Sequence, residues 1–411
     1  MKDRAIARTP VTLSAIIMRF AARFLMLCIG TMLYVQTGFS QGGTFSGPAF
    51  GSVTGGVLVS TESFQNAPAV IEPEGKKIHN PFWEKYNPSY YDDILNITPA
   101  SAPLNSNEFA DNVFLKNATS QPPTILASFE SIPQGNSIPP DPIMAVGPDH
   151  IIACVNTSFE IYDKSGNSLF RSTADAWYSN ILPGAGAFDP VIFYDHFEER
   201  WVMLWDNFND TNLTAFYLVS VSDDANPLGE WYSYALPANL NGTNNAFNWG
   251  DYPKMGFDDK AVYISGRMFS LTGGGFNYCK VRILPKPQLY ANTGGPVDYT
   301  DFWNFRDPSN PSVIVDGPPI AASHMDSSNT TYIVVDSPYN TSTFISVWEL
   351  TDPLGTSPTL IGQNVSTTSS LGPPDAVQQG GNQRIDSGRR AYRNAFYQDG
   401  FLWAATAVAG G

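Results

Sequence analysis

Asp189-Pro-Val-Ile-Phe-Tyr194, a polar turn, and then Trp201-Val-Met-Leu-Trp205 make up the phrase that decides the fold. An Asp-Pro pair opens a short apolar segment, and a dense run of β-branched and aromatic residues follows it. The phrase recurs. Asp141-Pro-Ile-Met144…His150-Ile-Ile-Ala-Cys-Val155 precedes it, and Asp251-Tyr-Pro-Lys-Met255…Ala261-Val-Tyr-Ile264 follows it. Two looser copies read Pro318-Pro-Ile-Ala321…Thr331-Tyr-Ile-Val-Val335 and Arg389-Arg-Ala-Tyr392…Phe401-Leu-Trp403. A sheet module repeated at this spacing predicts an all-β chain built as a β-propeller of four-stranded antiparallel blades.

The strands of each module follow from its apolar runs. In the second they are Val191–Tyr194, Trp201–Trp205, Ala215–Val221 and Trp231–Tyr234. Matching turns, Asn226-Pro-Leu-Gly229 and Asp352-Pro-Leu-Gly355, separate third from fourth strands in two modules. Blades are expected near 141–187, 189–245, 250–305 and 318–372, with a partial one at 388–411, so that about four and a half are present. The last stops after its second strand. That predicts either a ring cut short or a ring closed by a strand from the N-terminal region, because an open ring leaves exposed edges.

Upstream of the modules the pattern changes. Lys2, Arg4, Arg8, Arg19 and Arg23 precede the apolar stretch Phe24–Val35 and a small polar exit at Thr37–Gln41. That order predicts a secretory signal peptide over residues 1–40 and an extracellular or cell-surface location. The apolar stretch is short for a membrane span, and none is expected in the mature protein. Residues 41–125, rich in Gly, Ser and Pro, read as a loosely ordered lead-in to a propeller domain over 126–411.

Composition narrows the partners. Hydrophobic residues at 43% are ample for a core, and a net charge of -15 leaves no basic surplus for nucleic acid. Cys154 and Cys279 fall in separate modules and are expected as buried free thiols. Asn-x-Ser/Thr sequons stand at Asn96, Asn117, Asn156, Asn209, Asn212, Asn241, Asn329, Asn340 and Asn364, plausible glycan sites in a eukaryotic host. His79, His150, His196 and His324 are scattered without zinc spacing. No metal centre or cofactor is expected, apart from the option of Ca²⁺ at Asp206-Asn-Phe-Asn-Asp210, which otherwise reads as a turn.

The phrases Asp141-Pro…Val146-Gly-Pro-Asp149-His150, Tyr162-Asp-Lys-Ser-Gly166 and Asp251-Tyr-Pro-Lys254-Met resemble those of secreted bacterial β-propeller proteins. Ser222-Asp-Asp224…Pro227-Leu-Gly-Glu-Trp231 is similar to a turn of sialidase-like propellers, although extra residues separate its Asp from its Gly. Five-bladed glycosidases place acids at the starts of successive inner strands. That resemblance implies Asp141, Asp189 and Asp251 as the candidate catalytic residues, with Asp251 where those enzymes carry Glu. The residues themselves admit a plainer account, since Asp before Pro is a common strand-opening turn. Lys254, Arg267, Trp249 and Tyr252 are candidate ligand-binding residues, and Trp231 and Trp303 further aromatic platforms. The sequence therefore favours a secreted, monomeric, non-enzymatic module that binds carbohydrate or a cell-surface protein. A glycoside hydrolase is its first alternative, and a structural or adhesive module of a longer surface protein its second.

Overall fold

The computed structural model describes residues 44–64, 78–79, 125, 127–133, 137–339, 341–377, 384–385 and 394–409. The expected signal peptide, much of the lead-in and the Arg389–Tyr392 marker lie outside the described residues. What is described is all-β and arranged as a β-propeller, with helices only at Thr61–Phe64, Ala174–Trp177 and Lys286–Leu289. None of these helices is long and apolar enough to cross a membrane.

Blade I holds Ile143–Val146, His150–Val155, Ser158–Asp163 and Ser168–Thr173 as consecutive antiparallel neighbours. Blade II runs outward through Phe188–Asp195, Arg200–Asn209, Thr214–Ser222 and Glu230–Pro237. Blade III repeats the order with Asn248–Phe257, Ala261–Ser270, Phe276–Pro285 and Val297–Trp303. Blade IV has Ile320–Ala321, Thr330–Val335, Thr341–Thr351 and Thr359–Leu371. The fifth sheet joins Ala395–Gln398 and Phe401–Ala404, and Ser323–His324 pairs with it in parallel.

The dense apolar runs are explained by their position. A middle blade is covered on both faces, so its strands need apolar side chains pointing both ways. In Arg200–Asn209 the alternation is direct: Trp201, Met203 and Trp205 pack toward blade I, while Val202 and Leu204 pack toward blade III. Similar layers lie between blades III and IV and between blade IV and the fifth sheet. Cys154 and Cys279 are buried free thiols within these layers, as expected.

The segment expected as a loose lead-in contributes two strands. Ser46–Val53 pairs with Val297–Trp303 as the outermost strand of blade III. Val57–Ser60 does the same for blade II through Glu230–Ser233. A Pro and two Gly in Ser46-Gly-Pro-Ala-Phe-Gly-Ser-Val53 hide the strand from sequence, yet they suit an edge. Gly51 is required by its neighbour, because a Cβ there would sit 2.3 Å from Tyr299 Cζ. Val59 is 3% exposed and packs in the same layer as Trp231. Trimming Val59 to Ala is therefore expected to cost about 1–3 kcal/mol, read as a lower denaturant midpoint. An unchanged midpoint would mean that the outer strand does not hold the edge.

Candidate functional site

The inner strands of blades I, II and III begin with the same backbone device. Asp141 has φ 44°, Asp189 φ 53° and Tyr252 φ 53°, each in the left-handed region and each immediately before a proline. Proline disfavours right-handed helical geometry in the residue before it, and Asp tolerates the left-handed one. The equivalent of Asp141 and Asp189 in blade III is thus Tyr252, not Asp251. The sequence alignment of the three aspartates is corrected by one residue. Asp251 sits one step earlier, in register opposite Arg267 on the next strand, where it is 3% exposed.

All three aspartates nevertheless converge. Asp141 and Asp189 are half-buried, and the nearby Asp141 charge helps to raise Asp189. Tyr252 N–H donates to Asp189 Oδ2 at 3.2 Å. Asn156, on the turn after the second strand of blade I, donates from Nδ2 to Asp141 Oδ2 at 2.7 Å and to the Pro139 carbonyl at 2.8 Å. Its Oδ1 accepts the Asp189 N–H at 2.6 Å. Asn156 is 7% exposed. Both hydrogens of this sequon amide are thus committed within the fold.

The electrostatics follow from this crowding. Burial raises Asp189 well above the ordinary carboxylate range, and the charges of Asp251 and Asp141 add to it. Burial also pushes Asp251 up to about 6, partly countered by the Arg267 guanidinium. Asp206, from the second strand of blade II, is fully buried beside them with both carboxyl oxygens lacking a hydrogen-bond partner. Its affinity for a proton is raised for the same reasons, burial first. Lys254 lies 3.6 Å above the Tyr252 ring, and burial lowers it to about 8 against the pull of Asp189 and the other carboxylates.

Of the other candidates, Lys254 and Tyr252 stand in the cluster. Arg267 flanks it, donating to the Asp316 carbonyl at 2.8 Å and lying over Phe269 and Phe276. Trp249, 3% exposed, packs among Phe188, Phe208 and Phe269 and presents no face to a sugar. Trp231 is fully buried and is excluded on the same ground, whereas Trp303 is half-buried. In the candidate Ca²⁺ loop, Asn209 Oδ1 accepts the N–H groups of Thr211 and Asn212, the bonding of an Asn turn. Among the described residues no group of three or more His, Cys, Asp and Glu is placed to hold a metal ion. Asn156 and Asp206 are the members that sequence reasoning missed. The first is hidden in a sequon, the second in an apparent cation loop.

No protein-family model matches the chain, and no curated protein matches it. Among solved structures it is similar to an exo-1,5-alpha-L-arabinanase from a bovine ruminal metagenomic library. The identity is 9% and the TM-score 0.28, over 65% of this chain and 87% of that one. At such a distance no property of that enzyme is transferred.

Proposed function

We propose that the chain is a glycoside hydrolase that works at the convergence of its inner strands and acts outside the cell. The observation behind this reading is the convergence of inner-strand aspartates, among which burial raises the proton affinity of Asp189 and Asp251. Hydrolysis of a glycosidic bond needs an acid to protonate the leaving oxygen and a carboxylate to assist water or attack the sugar. Asp251, with its affinity pushed up to about 6, is suited to be the acid. Asp141, half-exposed and receiving a hydrogen bond from Asn156, is suited to be the carboxylate. Asp189, raised well above the ordinary carboxylate range by burial and by the charges of Asp251 and Asp141, is assigned neither role. It comes from the blade between theirs. Tyr252 and Lys254 supply a ring face and a cation for substrate hydroxyls.

A binding module was the first expectation from sequence, with hydrolysis second. The convergence of the three aspartates, two of them with raised proton affinity, supports the second of these readings. Net acidity makes neutral polysaccharides better substrates than polyanionic ones.

Release of reducing ends from a panel of neutral cell-wall polysaccharides is the direct test. Absence of turnover throughout, with tight binding on a glycan array, would return the binding module to first place. The pH dependence is also fixed in sign. Asp251 must be protonated, so turnover is expected to fall about tenfold per unit as pH rises through about 6. Stability moves the same way. Asp251 holds its proton more tightly folded than unfolded, so its contribution is present at low pH and lost as pH rises through about 6. A rate that climbs between pH 6 and 8 would contradict the assignment.

A further inference from the structure

Asn241-Gly242 is the one Asn-Gly pair in the chain. It lies in the short hairpin that pairs Leu240–Asn241 with Asn244–Asn245. The turn demands glycine, because φ at Gly242 is 58° and a Cβ there would sit 2.8 Å from the Ala49 side chain. That demand brings a chemical liability. In Asn-Gly no side chain shields the following backbone nitrogen, which can attack the Asn side-chain carbon. The Cγ–Nδ2 bond breaks, and ammonia leaves with the proton of the attacking nitrogen. A five-membered imide remains, and water opens it to aspartate or isoaspartate.

The native contacts oppose each part of this reaction. Gly242 N–H donates to Asp301 Oδ2 at 2.9 Å, which commits the attacking nitrogen elsewhere. That carboxylate is itself held by Arg282, whose Nε and Nη2 donate to its two oxygens at 2.8 Å each. The leaving nitrogen, Asn241 Nδ2, donates to Tyr278 OH at 2.9 Å. Asn241 Oδ1 is buried and accepts no hydrogen bond among the described residues, so no donor polarises the carbon for attack. The backbone is pinned on either side. Tyr299 OH donates to the Gly242 carbonyl at 2.8 Å, and Lys280 and Arg282 donate to the Leu240 carbonyl at 2.7 and 3.1 Å.

We propose that Asn241-Gly242 is a latent deamidation site, shut by Asp301 and Tyr278 while blade III is intact and open once that blade unfolds. Conversion leaves a mark that the fold cannot absorb. Asn241 is 7% exposed and Asp301 fully buried, so either product sets a second carboxylate in the interior with no cation of its own. Isoaspartate also lengthens the backbone by one carbon within the hairpin. A chain that converts while unfolded thereby loses its way back to the native state.

The test holds wild-type, full-length protein in mildly alkaline buffer, with and without concentrated urea. Peptide mapping by mass spectrometry, with separation of asparagine, aspartate and isoaspartate at position 241, follows the conversion. It is expected to run about a hundredfold or more faster in urea, because native protein reacts only through its open fraction. After dilution from urea, the refolded fraction should retain Asn241, and the fraction that stays unfolded should carry the products. Asp301→Ala and Tyr278→Phe then test the latch in folded protein. Each should convert faster than the denatured rate multiplied by its own unfolded fraction, measured by chemical denaturation. Tyr278→Phe leaves the Arg282–Asp301 pair in place and decides the matter if Asp301→Ala does not fold. Equal rates in buffer and urea would overturn the proposal, as would variants that convert no faster than global unfolding allows. Converted chain that refolds as well as unconverted chain would refute the mark on refolding.

Discussion

Replacement of Asp251 by Asn is expected to lower kcat on natural polysaccharide by about 10²–10⁴-fold, the usual range for loss of a positioned acid. The change keeps shape and removes the proton. Asp251 is 3% exposed and pairs across the sheet with Arg267, so the amide leaves the sheet intact while Arg267 loses a charged neighbour. The nature of the loss is as informative as its size. An aryl glycoside with an acidic phenol leaves without protonation, so Asp251→Asn should act on it nearly as well as wild type does. Asp141→Asn should lose both substrates, because the deficit then lies on the side of the attacking group. Equal loss on both substrates in Asp251→Asn would remove it from the acid role. Unimpaired turnover of natural substrate in both variants would sink the hydrolase reading altogether.

The largest effect on stability is expected away from the site. Arg282 and Asp301, in the outer strands of blade III, are both fully buried. Arg282 Nε and Nη2 donate to the two Asp301 oxygens at 2.8 Å each. The guanidinium also donates to the Pro237 and Leu240 carbonyls at 2.7 and 3.1 Å and lies 3.7 Å over the Tyr299 ring. Asp301 Oδ2 accepts the Gly242 N–H as well, at 2.9 Å. The pair therefore ties blade III to the chain leaving blade II. Asp301→Ala strands a cation in the interior, and an unpaired buried charge costs about 3–5 kcal/mol. Neighbouring Lys280, lowered to about 7 by burial and raised by Asp301, should lose its charge more readily in the variant. Chemical unfolding is the measurement, with a fall in midpoint at unchanged slope. The double replacement Arg282→Met with Asp301→Leu should recover most of the loss, since an apolar pair carries no stranded charge. A single variant within about 1 kcal/mol of wild type would mean that water reaches the guanidinium.

Much of this architecture can be read from the chain because the middle blades are covered on both sides. Trp201–Trp205 has apolar residues facing both ways, and such a run has few alternatives to a central strand. Where coverage ends, so does legibility. Ser46–Val53 is an outer edge with a Pro and two Gly, and no apolar pattern marks it. The site was half visible. Asp141 and Asp189 are marked by the prolines that follow them. Asp251 carries a similar marker with Tyr252 inserted, and the insertion turns its side chain to the other face of the strand. Asn156 and Asp206 had no signal of their own, because what makes them matter is a contact with another blade. Hydrogen bonds between residues far apart in sequence leave no periodicity.

The two strands contributed by residues 46–60 also set an order of events during synthesis. Ser46 pairs with Trp303, so 257 residues of chain separate the partners. At roughly 5–20 residues per second, the first of these strands waits about 10–50 s on a ribosome before its neighbour exists. Until then blade III cannot be completed, whatever the state of the blades before it. Delayed pairing of this kind slows folding and leaves strand edges open to other chains. The same clasp that finishes the disc thus acts as a timer, holding the chain open until most of it has been made.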